Sequence, residues 1–127
     1  MAVQVLIVDD QEPFRLAARL VVEATDGFEV AGEVETGEAS VEAAREPSPD
    51  LILMDVTLPG ISGLEATQQI LAEPRSKPPV VVLVLSTYET AEYAPRAAEA
   101  GAAGHIPKSE FDPVRLEEAW AAARSAA

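Results

Sequence analysis

Two aspartates, Asp9 and Asp10, stand side by side directly after the apolar run VLIV. Two carboxylates about 4 Å apart repel by roughly 4 kcal/mol at an effective dielectric of about 20. The pair is therefore either splayed into water or bridged by positive charge. A third carboxylate, Asp55, closes a second apolar run, LILMD; Ser86 closes a third, VVVLVLS; and Lys108 follows a fourth, AGHIP. If these ends meet, three carboxylates, one hydroxyl and one ammonium share a small space. Oxygen ligands without histidine or cysteine select Mg²⁺, Mn²⁺ or Ca²⁺. A lysine and a hydroxyl beside such an ion can neutralise and hydrogen-bond a phosphoryl group as charge develops on it. A carboxylate can itself be the nucleophile and form an aspartyl-phosphate. Asp55 is the natural candidate for that role, because it stands alone before the loop VTLPGIS, whereas Asp9 and Asp10 suit the metal.

Each residue also has a plainer reading. Asp10 could cap the helix that follows, with Pro13 in its first turn, and Asp55 could be a turn residue ahead of Pro59. Ser86 and Lys108 are commonplace strand endings, and His105 reads as a packed or surface imidazole. Taken singly the plain readings win. They do not explain why all the chemistry falls at the carboxyl ends of core strands.

The elements that must position these residues follow from hydrophobic periodicity. VQVLIV (3–8), LILMD (51–55) and VVVLVLS (80–86) read as buried strands, the last as the most hydrophobic and central. FEVAGEV (28–34) alternates and reads as a strand nearer an edge, and AGHIP (103–107) as a short fifth strand. Phe14, Ala18, Val21 and Val22 form one stripe of an amphipathic helix. Thr36 caps a helix running to about Arg45, and Ser62 with Glu65 makes a capping box. EPRSKPP (73–79) is a loop, and a fourth helix ends at Gly101. Pro95 inside ETAEYAPRAAEAG costs about 3 kcal/mol deep in a helix, so that helix should start late, near Glu92, or kink. Asp112 caps and Pro113 opens a last helix that buries Leu116, Ala119, Trp120 and Ala123. Five strands alternating with five helices imply an α/β fold, a doubly wound parallel sheet in a single domain. Ligands in such sheets bind beyond the carboxyl ends of the strands.

The 127 residues are enough for one domain with a real core, and 48% of them are hydrophobic. Nine basic against 22 acidic residues give a net charge of −13, which argues against nucleic acid or an anionic membrane as a direct partner. The chain has no cysteine and one histidine, which excludes thiolate chemistry and multi-histidine metal sites. No apolar stretch reaches the length of a membrane span, and MAVQVLIVDD lacks the features of a signal peptide, so a cytoplasmic location is expected.

Together, VLIVDDQEPFR, PDLILMDVTLPGISGLEA, VVVLVLSTYE and AGAAGHIPKSE resemble the receiver domain of bacterial two-component response regulators, over about residues 3 to 125. The wording looks closest to the subfamily that carries a C-terminal helix-turn-helix DNA-binding domain. The resemblance implies a flavodoxin-like sheet of strand order 2-1-3-4-5, with residues 1–127 as one receiver domain. It implies Asp55 as the phosphoacceptor, loaded by a sensor histidine kinase or a small phosphodonor. It implies Mg²⁺ held directly by Asp10, Asp55 and the Thr57 carbonyl, and through water by Asp9. Ser86 matches the switch hydroxyl, Lys108 the lysine that pairs with the phosphoryl group, and His105 the place of the aromatic switch residue. Phosphorylation would shift a two-state equilibrium on the surface of the fourth helix, fifth strand and fifth helix. That surface would control an output domain, transcriptional by the resemblance, or a partner protein, without turnover of an external substrate. Thr57 and Tyr88 match positions that tune dephosphorylation.

The sequence departs from the pattern at Ser109, where many receivers carry proline after the lysine, at Pro95 and at His105, whose imidazole could make the switch polar or pH-sensitive. The Ala-rich last helix could offer a face for a homodimer formed on phosphorylation, or be plain solvent-facing surface. Two other readings are open. A degenerate receiver acting as a phosphorylation-independent docking module would lack Asp10, Asp55 or Lys108, and none is missing. A phosphohydrolase of the haloacid-dehalogenase kind would place D-x-D after its first strand and carry a cap, for which the chain leaves no room.

Overall fold

The computed structural model describes residues 2–46, 48–75, 79–87 and 90–125, with the side chains of residues 90–93 left aside. In chain order the elements are β1 (Val3–Val8), α1 (Glu12–Glu23), β2 (Phe28–Val34), α2 (Gly37–Arg45), β3 (Leu51–Asp55), α3 (Gly63–Ala72), β4 (Val81–Ser86), α4 (Thr90–Glu99), β5 (Gly104–Pro107) and α5 (Pro113–Ser125), with a single 3₁₀ turn at Lys108–Glu110.

All five strands are parallel, in the order β2-β1-β3-β4-β5. The alternating strand shows up as an edge: β2 pairs with β1 alone, and its residues are mostly half-buried. The middle strand is β3, not β4 as the hydrophobicity of VVVLVLS suggests; β4 lies one place further out, flanked by β3 and β5. A strand with neighbours on both sides and helices on both faces needs apolar residues throughout. Both β3 and β4 meet that condition, so composition alone does not rank them.

Successive strand residues point to opposite faces, and this splits the core in two. Leu6, Val8, Ile52, Met54, Val82 and Val84 pack under α2, α3 and α4 through Val41, Leu64, Ile70 and Ala97. Val5, Ile7, Leu51, Leu53, Leu83, Leu85 and Ile106 pack under α1 and α5 through Ala18, Val22 and Leu116.

Three helix starts are set by side-chain caps of the kind read from sequence. Thr36 Oγ1 accepts from the Ala39 N–H at 3.0 Å, Ser62 Oγ from Glu65 at 3.1 Å and Asp112 Oδ1 from Arg115 at 2.8 Å. Of the two expectations for the fourth helix, a late start or a kink, the late start is not met. It begins at Thr90, two residues ahead of Glu92, with Pro95 inside it. Pro95 is the sixth residue of this helix, past the first four N–H groups that lack an intrahelical acceptor, so the helix forgoes one backbone hydrogen bond there. Gly101, with φ +99°, ends the segment in the left-handed region that glycine tolerates.

Candidate functional site

The strand order reverses between β1 and β3, and the crevice at their carboxyl ends is where this topology leaves room for a ligand. Asp9 and Asp10 follow β1 there, and Asp55 is the last residue of β3. The Asp9 N–H donates to the Val34 carbonyl at 3.1 Å, and its own carbonyl accepts from Arg15 Nη1 at 2.8 Å. Its Oδ1 accepts from the Gln11 N–H at 2.8 Å. Asp10 therefore does not cap α1: the cap position is Gln11, without a side-chain cap, and Asp10 stays exposed on the crevice.

Asp9 is 1% exposed and Asp55 5%. Two such buried carboxylates need a cation nearby. Lys108, which leaves β5 into the 3₁₀ turn, supplies one. Its Nζ lies 2.6 Å from Asp9 Oδ2 and 3.5 Å from Asp55 Oδ2, and 4.5 Å from the centre of the Phe14 ring. Asp55 Oδ1 accepts from the Thr57 N–H at a long 3.4 Å. The Val56 N–H donates to the Leu85 carbonyl and the Gly63 N–H to the Val56 carbonyl, at 3.0 and 2.9 Å, so the backbone on the far side of Asp55 is tied to β4 and α3.

The carboxyl group of Asp55 is pushed up to about 6, first by burial and then by the charge of Asp9, against the pull of Lys108 and the Thr57 N–H. It is ionised at neutral pH, but at a cost that a divalent cation would relieve. Asp9, Asp10 and Asp55 each present an oxygen within 4.8 Å of the other two. An all-oxygen, carboxylate-rich donor set fits a hard cation.

The crevice opens as a cleft of about 390 Å³ lined by Asp10, Asp55, Thr57 and Lys108, together with Gln11 and Thr87. Ser86 ends β4 one residue beyond Leu85, which pairs with Asp55, and is 1% exposed. Of Ser86 and Thr87, it is Thr87 that lines the open cleft. His105 sits on β5 opposite Val84, on the face away from Ile106, and burial holds its imidazole below the usual histidine range. Tyr88 lies outside the described residues.

Three residues at the site were not singled out from sequence. Gln11 and Thr87 are polar neighbours of marked residues, and the doubled hydroxyls of Ser86–Thr87 were the available signal. Phe14 was assigned to the apolar stripe of α1. It belongs there, packed against the α1–α5 core, and also lies under Lys108.

A sequence profile of the response regulator receiver domain matches residues 5–121. The response regulator GacA of Pseudomonas aeruginosa is 40% identical over 106 residues, 84% of this chain and 48% of that protein. The transcriptional regulatory protein DegU of Brevibacillus brevis is 36% identical over 117 residues, 92% of this chain and 48% of that protein. The chain thus spans about half the length of the curated relatives it matches. Among solved structures, a LuxR-family two-component response regulator from Aurantimonas aligns with a TM-score of 0.84 at 31% identity, covering 96% of this chain and 84% of the other. The response regulator domain of Thermotoga maritima CheB aligns with a TM-score of 0.84 at 28% identity, covering 98% of both. Among the described residues no helix is long and apolar enough to cross a membrane.

Proposed function

The chain belongs to the response regulator receiver domain family, and from that premise we propose that residues 1–127 act as one phosphorylation-dependent switch with Asp55 as phosphoacceptor. The observation that carries this reading is the meeting of Asp9, Asp10 and Asp55 within 4.8 Å, with the Lys108 ammonium between two of them.

Asp10, Asp55 and the Thr57 carbonyl would hold Mg²⁺, with Asp9 behind them. The ion would supply positive charge to the phosphoryl oxygens. The Asp55 carboxylate attacks phosphorus. Its O–P bond forms as the donor's bond to phosphorus breaks, a P–N bond in a phosphohistidine or a P–O bond in an acyl phosphate, and the electron pair leaves with the donor. Lys108 exchanges a carboxylate partner for a phosphoryl oxygen. Ser86 donates to the phosphoryl group after moving from its buried place at the end of β4. That movement, together with His105 on β5, biases the α4–β5–α5 surface toward the state read by an output domain, transcriptional as in the relatives so named, or by a partner protein. The donor is a sensor histidine kinase. The chain turns over no substrate other than its own phosphoryl group.

The decisive experiment is intact mass after incubation with acetyl phosphate and Mg²⁺. The wild type is expected to gain about 80 Da, one HPO₃. The gain should disappear with EDTA and in Asp55→Ala. A wild type that gains no mass under these conditions, or an Asp55→Ala variant that gains as much, would refute the assignment.

A further inference from the structure

Lysine is a poor residue for holding a charge in one place. Its four-carbon stem has many rotamers and loses their freedom when the charge is fixed. In this chain the ammonium of Lys108 is nevertheless held, with the side chain 10% exposed. Two of its contacts are carboxylates, Asp9 at 2.6 Å and Asp55 at 3.5 Å. Both are claimed by other partners on the functional reading above, on which this inference rests: the metal takes up the charge of Asp9, and the phosphoryl group covers Asp55. The third contact is the face of Phe14, 4.5 Å from ring centre to Nζ, and it ligates nothing.

We infer that Phe14 is a positioning residue for phosphoryl transfer, its ring holding the Lys108 ammonium over Asp55 while the carboxylates change partners. A cation over an aromatic face is attracted by the ring quadrupole, most strongly where both are out of water. The ring is itself well held. Phe14 lies in the first turns of α1, with its N–H donating to the Gln11 carbonyl at 3.1 Å. Its far contact is Phe111, with ring centres 6.4 Å apart and planes inclined at 43°. Phe111 closes the 3₁₀ turn that Lys108 opens, its N–H donating to the Lys108 carbonyl at 3.3 Å. Phe14 therefore grips the segment after β5 at two points, one apolar and one cationic. Core packing alone accounts for an apolar residue here and would be served by leucine. It gives no reason for a ring beneath an ammonium.

The test separates ring electronics from ring shape. Phenylalanines carrying one, two or three ring fluorines are placed at position 14 of the whole chain. Fluorine drains the quadrupole while changing size little. Phosphoryl uptake from acetyl phosphate with Mg²⁺, followed by intact mass, should slow stepwise across the series, by about threefold to tenfold at three fluorines. The same series at Phe28, which packs edge-on against Trp120 and away from the site, should leave the rate unchanged. A rate that does not vary with fluorination at position 14 overturns the inference.

A second readout needs no phosphorylation. The chain has two lysines, Lys77 and Lys108, so lysine-selective labelling resolves both side chains. The ε-methylene protons of Lys108 should be ring-shifted upfield in the wild type and return to ordinary values in Phe14→Leu; a Lys108 signal identical in the two proteins also overturns the inference. An adduct on the wild type with a flat fluorine series defeats the role of Phe14 alone, whereas no adduct on the wild type defeats the functional reading beneath it.

Discussion

Asp55 is a carboxylate in an unfavourable place. Burial and the charge of Asp9 raise it to about 6, more than Lys108 and the Thr57 N–H can offset. A group that binds its proton more tightly folded than unfolded makes the protein less stable as pH rises through the interval between the two values. Here that interval runs from the ordinary aspartate range near 4 up to about 6. The cost is absent below it and complete above it, on the order of 3 kcal/mol at the conversion of 1.36 kcal/mol per pH unit. With metal chelated, Asp55→Asn should be more stable than the wild type at pH 7.5. The advantage should shrink as pH falls through 6 and vanish near 4. Urea titrations across that range measure it, and a gap that widens toward acid would contradict the electrostatic account. On the proposed reading strain and activity share one cause, since the crowding that destabilises the carboxylates would give a cation its affinity.

Elements hold these residues through close backbone contacts more than through side chains. The start of α3 is pressed onto the end of β3 at Gly63, whose N–H reaches the Val56 carbonyl. A Cβ there would overlap the Asp55 carbonyl oxygen. On the other side of the same loop Gly60, at φ +76°, leaves room for the Glu38 carboxylate, which accepts from the Ile61 N–H at 3.3 Å. The first turn of α2 thus braces the loop that carries Thr57. Gly63→Ala should cost on the order of 2 kcal/mol or more, as overpacked sites do, and should slow phosphoryl uptake because it displaces the backbone of the acceptor. Gly32→Ala is the control. Its Cβ would meet Leu6 Cδ1 at an ordinary 3.6 Å, and in a strand it should be neutral or stabilising by up to about 1 kcal/mol. Thermal melts of both variants, with phosphorylation rates beside them, check the contrast.

The molecule as a whole carries a charge of −13, and three of its carboxylates converge on one cleft. General self-repulsion is screened by any salt, but the cleft should respond to a specific ion. Millimolar Mg²⁺ should raise the melting temperature by several degrees beyond NaCl of matched ionic strength, since a ligand at about 100 times its Kd adds about 2.7 kcal/mol. Asp10→Ala should abolish the difference. Equal responses to the two salts in the wild type would remove the support for a built metal site. At this level the parallel sheet does one further thing: it gathers residues from positions 9 to 108 at a single edge, with β1 and β3 side by side at the point where strand order reverses.

Much of this was legible in one dimension. Period-2 and period-3.6 patterning, with caps at Thr36, Ser62 and Asp112, located every element to within a few residues, because burial and backbone hydrogen bonding act locally and leave a local record. Asp9, Asp10, Asp55 and Lys108 stood out for a different reason: each has a plain reading alone, but all fall at the carboxyl ends of apolar strands, and the structure brings them together. What sequence left undecided is whatever depends on distance between elements. Strand hydrophobicity did not say which strand lies in the middle, since β3 and β4 look alike; the order 2-1-3-4-5 came from the family resemblance, and the sheet has it. Pro95 does not delay the start of α4, which begins at Thr90 with the proline inside it. Phe14 reads as core from its periodicity; only the fold sets Lys108, 94 residues later in the chain, over its ring, since cation and ring come from opposite ends of the sequence and share no pattern.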